Sequence, residues 1–179
     1  MGAWGSGVFS NDTACDARDM YHDFLACGYD DAEAESAVIA YWASQVSGTE
    51  DEAAFWMALA ATEQRYGRLS DAVRKKAQEE IRRELENLDS WRKKKSSRKA
   101  VLKKLAETLE QTGERKRVPP LRARITEWKP GDIVLASMGE GERDEGMRFA
   151  MQVFDVIRVP CSSFVQDSPV DQIPVVGIY

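Results

Sequence analysis

The chain has 179 residues, of which 43% are hydrophobic and 31% charged, and this composition fits one ordinary domain or one domain with a small appendage. It contains no apolar stretch of about 18 residues, so we expect no transmembrane helix and no membrane partner. The N-terminus has neither a basic region nor an apolar run after it, so we expect no secretory signal. The cysteines, Cys15, Cys27 and Cys161, have no CxxC spacing and are typical of reduced thiols in a cytoplasmic protein.

The net charge of −5 conceals three blocks of different sign. Residues 1–64 contain one basic and twelve acidic side chains, a net of −11, and residues 65–124 contain twenty basic and nine acidic ones, a net of +11. Residues 125–179 contain four basic and nine acidic side chains, a net of −5. The basic block suits a nucleic acid, an acidic protein or the chain's own first block, and the last two are favoured because an acidic partner is tethered nearby.

Two helices are predicted first in chain order. Capping residues within 10–12 open the first helix and Gly28 ends it, while the second is predicted to run from 30–31 to Gly48. The residues expected to face the core are Met20, Phe24 and Cys27 in the first helix and Val38, Tyr41, Trp42 and Val46 in the second.

Three further helices complete a predicted helical domain over residues 1–112. The third is expected to begin with a capping box of Thr49 and Glu52 and to end at Gly67. The fourth begins within 70–71, and the fifth covers about 99–111. Their predicted core residues are Phe55, Trp56, Leu59 and Ala60 in the third, Val73, Ala77, Ile81 and Leu85 in the fourth, and Val101, Leu102, Leu105 and Leu109 in the fifth.

The character of the sequence changes after a predicted linker at 113–124, which carries a charge run and a Pro-Pro pair. The stretches DIVLAS, MRFAMQVFDVIRV and IPVVGIY are rich in β-branched residues and predict three strands in a small segment at 125–179, the first two forming a hairpin. The fold class is therefore α+β, an all-α bundle of about five helices followed by a small antiparallel β segment. Its exposed strand edges favour a homo-oligomer formed through the C-terminal strands, or a chain cut short.

The opening stretch WGSGVFSND surrounds a Gly-Ser-Gly sequence with aromatic residues. An anion nest is one interpretation, but no strand precedes it, no lysine follows in P-loop spacing, and acidic residues come next. The structural interpretation is favoured: Trp4 and Phe9 pack into the helical bundle, and the pair Asn11 and Asp12 caps the first helix. We therefore predict that Trp4 is largely buried.

The first helix carries side chains with metal-binding chemistry. Cys15, Asp19 and His22 lie at i, i+4 and i+7, and zinc accepts all three residue types. A solvated acidic face explains the same pattern, and His22 is the only histidine of the chain, so we expect no cofactor and no enzymatic activity. A metal-dependent hydrolase is the alternative. The acidic stripe that would bind a cation or a basic partner consists of Asp12, Asp16, Asp19 and Asp23.

A second candidate binding segment lies in the middle of the chain. Trp91 precedes four consecutive cations, so base stacking beside a charged patch would allow nucleic-acid binding. The isoelectric point of about 5.1 and the flanking acidic blocks disfavour a dedicated nucleic-acid-binding protein. The four cations are Arg92, Lys93, Lys94 and Lys95.

The N-terminal motif resembles the start of a bacterial family known as domain of unknown function 4259. Members open with Trp-Gly-x-Gly-x-Phe, an Asn-Asp pair and then small and acidic residues entering a helix. The resemblance implies a helical domain and no particular reaction. The matching positions are Trp4, Gly5, Gly7, Phe9, Asn11, Asp12, Ala14 and Asp16.

The segment from Trp128 to about residue 157 resembles the front of β modules in bacterial immunity proteins of the immunity protein 26 type. The resemblance rests on Gly131 and Asp132 at the first strand and on Gln152 and Val153 in the second. It implies a partner-binding role, because immunity proteins bind and block a cognate toxin. We therefore predict a non-enzymatic bacterial binding protein of the cytoplasm, acting as an immunity protein through charged surface complementarity.

Overall fold

The computed structural model describes residues 5–137 and 148–178, and these residues form the predicted α+β fold. The helices are α1 (Asp12–Ala26), α2 (Asp31–Val46), α3 (Glu52–Tyr66), α4 (Asp71–Glu86) and α5 (Lys95–Leu109). A 3₁₀ segment, Asp89–Lys94, connects α4 with α5. The strands β1 (Ile133–Ser137), β2 (Arg148–Pro160) and β3 (Val170–Ile178) follow.

Helix α3 is the centre of the helical unit and packs against α1, α2, α4 and α5. Its alanine-rich sequence, EAAFWMALAATEQRY, allows neighbouring helices to approach from several sides. Phe55, Met57 and Leu59 are almost completely buried there. Gly67 ends the helix at a φ of 65°, and a Cβ atom at this position would run into the backbone of Glu114. Glycine is therefore required both by the left-handed conformation and by the close approach.

Helix capping follows the sequence at three helices and departs from it at one. The side chains of Asn11, Asp30 and Ser70 accept backbone N–H groups at the starts of α1, α2 and α4. The capping box predicted at the start of α3 is wrong, because the Thr49 hydroxyl accepts the Asp51 N–H at 3.2 Å and not the Glu52 N–H, while the Glu52 carboxylate accepts the Gly48 N–H at 2.8 Å. The same hydroxyl donates to the carbonyl oxygen of Val46 at 2.8 Å. This bond belongs to the turn that closes α2, and α3 begins three residues later.

Three aromatic residues predicted to face the core are more accessible than expected, and one of them, Trp42, is half-buried. Tyr41 is exposed, because α2 packs only on α1 and α3 among the described elements and its far side meets solvent. Trp56 is half-buried, and the Lys76 ammonium lies 5.9 Å from its ring centre. A helical period marks which residues share a face, but it does not give the width of the buried part of that face.

The chain divides into two compact units, Met1–Pro120 and Leu121–Tyr179. Residues 113–116, inside the predicted linker, pack on the helical unit. The Lys116 N–H donates to the carbonyl oxygen of Tyr66 at 3.0 Å, and Arg115 pairs with Asp31 at 2.7 Å. This part of the segment is therefore bound structure and not free linker.

The second unit is built on an antiparallel sheet with strand order β1–β2–β3. A bulge between Val153 and Asp155 interrupts the pairing of β2 with β3. The hairpin turn predicted between the first two strands, GEGERDEG at residues 139–146, lies outside the described residues, and so does Trp4 with its predicted burial.

Candidate functional site

A cleft of about 760 Å³ opens on the helical unit between the N-terminal loop, the α2–α3 turn and the 3₁₀ segment. It brings together two features that the sequence singled out separately, the Gly-Ser-Gly loop and the basic segment. The charged residues of its lining, apart from Arg98, are Glu50, Asp51, Glu84, Arg92, Lys93 and Lys94.

Arg98, in the first turns of α5, holds the walls of the cleft together. Its guanidinium forms a bidentate pair with the Glu84 carboxylate, with Nε and Nη2 at 2.7 and 2.8 Å from the two oxygens. Nη1 donates to the carbonyl oxygens of Ser6 and Gly7 at 3.2 and 3.1 Å. The side chain is buried and its planar fork matches both the carboxylate and the loop carbonyls. Arg98 therefore ties the N-terminal loop to α4 and is not available to a ligand.

The 3₁₀ segment presents its cations at the mouth of the cleft. The Trp91 ring lies 4.6 Å from the Arg98 guanidinium, and this cation–π contact fixes the start of the segment. Arg92 adopts a φ of 43° and a ψ of −117°, a strained conformation for a side-chain-bearing residue. The kink sharply redirects the chain, and Arg92, Lys93 and Lys94 are all exposed. Lys95, also predicted as a binding residue, pairs with Asp89 at 2.7 Å.

The Gly-Ser-Gly loop has a structural explanation in the described residues. The Gly7 N–H donates to the Ser10 hydroxyl at 3.1 Å, and a Cβ atom on Gly5 would lie 2.7 Å from that oxygen. Asn11 then accepts the Ala14 N–H at 2.8 Å and caps α1. Phe9 is half-buried, with the Arg18 guanidinium 5.4 Å from its ring centre. The loop lines one wall of the cleft, and its hydrogen bonds stabilise its own turn and the start of α1.

The cleft has walls of opposite charge. Glu50 and Asp51, from the α2–α3 turn, line it together with the cations of the 3₁₀ segment. Glu84 is satisfied by Arg98 and contributes little free charge. The lining contains neither histidine nor cysteine, so it offers no pairing of a nucleophile with an imidazole base. The cleft presents charged groups of both signs.

The acidic stripe on α1 lies on the solvent side of a helix whose other face is buried. Asp12, Asp16 and Asp19 are exposed, and Asp23 is half-buried with its carboxylate 3.4 Å from the His22 ring. Asp19 is held by Arg18 at 2.7 Å.

The proposed metal ligands have other contacts. The Cys15 thiol lies 3.5 Å from the carbonyl oxygen of Phe9, while Asp19 and His22 are engaged by Arg18 and Asp23. No group of three or more side chains able to hold a metal ion occurs in the part of the chain that the structure describes. The hydrolase alternative therefore has no ligand set there.

A buried polar cluster lies between α1, α2 and α3, where the helical pattern predicts only apolar packing. Glu63 is fully buried, and its burial, with the nearby charge of Glu35 as a smaller cause, raises its pKa from 4.5 to about 8. Burial also raises the pKa of the Tyr21 phenol well above its usual range. Arg68 pairs with Asp31 beside them, which joins the basic middle block to the acidic first block. A carboxylate in an otherwise apolar helix face is the signal that indicates such a site.

The residues behind the immunity-protein resemblance lie at the start of the sheet. The Gly131 N–H donates to the carbonyl oxygen of Val153 at 2.8 Å, and the Val153 N–H donates to that of Asp132 at 2.9 Å. Gln152 is the register partner of Ile133. Trp128 is exposed and lines a second, shallower depression. The main-chain contacts of this motif serve strand pairing.

Comparison with known proteins adds no further assignment. No protein-family model matches the chain, and neither a curated protein nor a solved structure matches it. Within the described residues, no helix is long and apolar enough to cross a membrane.

Proposed function

We propose that this chain is a non-enzymatic binding protein that recognises a charged segment of a partner protein in its cleft. The observation that carries the proposal is the row of three exposed cations, Arg92, Lys93 and Lys94, presented at the mouth of the cleft on a kinked 3₁₀ segment. An immunity protein of the bacterial cytoplasm, neutralising a toxin, is the specific version that the resemblance of the segment around the first two strands favours.

The fixed geometry of the cleft supports recognition. The bidentate Arg98–Glu84 pair and the Trp91 contact hold the basic wall in place before any partner arrives. A wall that is already ordered loses less conformational entropy on binding than a flexible one. The strain at Arg92 points the same way, because strained backbone persists where the surrounding structure holds it.

The charge layout favours a protein segment over a nucleic acid. Acidic groups of a partner would meet Lys93 and Lys94, whereas Glu50 and Asp51 on the facing wall would repel a uniformly anionic polymer. A peptide with acidic residues and a few interspersed basic ones matches both walls. Such complementarity chiefly speeds association and selects the partner.

The test is a pull-down from a bacterial lysate at low and high salt with a charge-reversed variant. The variant carries Arg92→Glu, Lys93→Glu and Lys94→Glu, and the matched control reverses three exposed cations outside the cleft lining, Lys75, Arg82 and Lys103. We expect a protein partner that the wild type and the control retain, that the cleft variant loses, and that high salt releases. Equal retention by the cleft variant and the control would overturn the proposal.

A further inference from the structure

One face of the sheet is covered with large apolar side chains. Side chains alternate along each strand, and register partners point to the same face. The pairing of Ile133 with Gln152, Gln152 with Gly177 and Ile157 with Ile173 therefore places all three strands' apolar positions together. This face, named here the outer face, carries Ile133, Leu135, Phe154, Ile157, Ile173 and Val175, which are 41–68% exposed.

The bulge in β2 helps to keep the outer face apolar on both sides of the irregularity. The Phe154 ring lies over Gly177, where a Cβ atom would collide with it, so Phe154 belongs to the same face as the other five side chains. Asp155 follows at the bulge, and its carboxylate accepts the Val156 N–H at 2.7 Å. This bond directs the Asp155 carboxylate toward the backbone.

The second unit buries little apolar surface on its own. Among its described residues, Val153 and Val165 are the buried hydrophobic side chains, while the six of the outer face remain accessible. A three-stranded sheet of this size needs a further layer to bury a hydrophobic face. An exposed apolar face of this extent is characteristic of an interaction surface.

The helical unit does not offer a matching surface. In the described part of that unit, the exposed large hydrophobic side chains are Tyr29 and Tyr41, at 38% and 48%. A second copy of the chain, in contrast, presents an identical apolar face. The exposed fractions of the six side chains amount to about three whole side chains, or roughly 500–600 Å² per copy. A standard interface buries about 800 Å² per partner, so this face supplies most of the area that a stable dimer needs.

We propose that the chain forms a homodimer in which the outer faces of two sheets pack against each other. Two sheets stacked at about 10 Å would bury both sets of side chains, as in a β-sandwich. The contact is isologous, since each copy contributes the same residues. The inference is independent of the charged cleft, because it concerns the other unit and a contact without charge pairing.

The experiment is sedimentation velocity of the full chain over a range of concentrations, at low and high salt. We expect a species of twice the chain mass of 20.1 kDa, unaffected by salt because the contact is apolar. The double variant Leu135→Glu and Phe154→Glu places charges within the contact and should weaken dimerisation about 100-fold or more. The matched control, Tyr41→Glu, alters an exposed aromatic side chain of the helical unit and should dimerise as the wild type does.

The wild-type measurement decides the proposal even if the double variant does not fold. A wild-type chain that stays monomeric up to about 100 μM overturns it, since an interface of standard size binds in the micromolar range or tighter. A dimer that persists with a native circular dichroism spectrum in Ile173→Lys also overturns it, because the contact then lies elsewhere. Loss of the dimer at high salt is a third contrary result and would assign the contact to charged surfaces.

Discussion

Replacing Glu63 by glutamine should remove a pH dependence from the stability of the helical unit. The carboxyl group is fully buried, its Oε2 accepts the Ser70 N–H at 3.3 Å, and its Oε1 is buried without a protein partner. Burial first and the neighbouring acids second raise its pKa from 4.5 to about 8. The glutamine amide has the same shape, and its oxygen can still accept the Ser70 N–H.

Proton binding by Glu63 decides whether the free energy of unfolding rises or falls with pH. Between pH 4.5 and 8 the folded chain keeps a proton on Glu63 that the unfolded chain releases, so the free energy of unfolding falls as the pH rises. The stabilising contribution is complete below pH 4.5 and is lost as the pH passes about 8. A pKa difference of this size corresponds to at most about 5 kcal/mol.

Urea unfolding at pH 5, 6, 7 and 8 measures the effect. We expect the wild type to lose stability across this range and Glu63→Gln to lose much less, so that the variant is the more stable protein at pH 8. The difference between the two proteins at each pH isolates the contribution of Glu63. The matched control is Glu107→Gln, an exposed carboxylate on α5, which should follow the wild type. Parallel pH profiles for the wild type and Glu63→Gln would refute the reasoning.

Three further predictions concern the frame of the cleft and of the bundle, each read from the free energy of unfolding in urea. Arg98→Ala should cost about 3–5 kcal/mol because it leaves the Glu84 carboxylate unpaired, and a cost below about 1 kcal/mol would contradict the anchoring role. Gly67→Ala should cost more than about 1–2 kcal/mol, because a left-handed residue gains a Cβ that meets the Glu114 backbone; an unchanged midpoint would show that the turn relaxes freely. Arg92→Gly should stabilise the chain by about 1 kcal/mol by relieving backbone strain, and destabilisation would indicate that the kink carries no strain.

Local signals account for much of the fold. The periodic apolar positions, the caps at Asn11, Asp30 and Ser70, and the β-branched stretches are short-range features, and the corresponding helices and strands follow from them. The start of α3 is the exception, because the Thr49 hydroxyl accepts the N–H of Asp51 and the Glu52 carboxylate accepts that of Gly48, so the two do not form a reciprocal box. The capping motif alone does not show which of several neighbouring N–H groups in a tight turn each side chain will accept.

The candidate site was predictable only in pieces. The basic segment and the glycine loop are each visible in the sequence, but their meeting depends on Arg98 reaching both Glu84 and the carbonyls of Ser6 and Gly7. The bonds from Arg98 to the two loop carbonyls join residues more than ninety positions apart in the sequence. The polar cluster around Glu63 likewise depends on the packing of three helices.

Binding of a defined charged peptide to the cleft tests the central claim most directly. The probe is a fluorescently labelled peptide rich in glutamate with interspersed lysine, and the readout is fluorescence anisotropy at increasing salt. We predict that the affinity falls about tenfold or more when the charges of Arg92, Lys93 and Lys94 are reversed. The control with Lys75, Arg82 and Lys103 reversed should bind as the wild type does, and added salt should weaken binding to the wild type. Equal affinity of all three proteins for the peptide, or tighter binding of a single-stranded oligonucleotide of the same net charge, would contradict a protein-binding cleft.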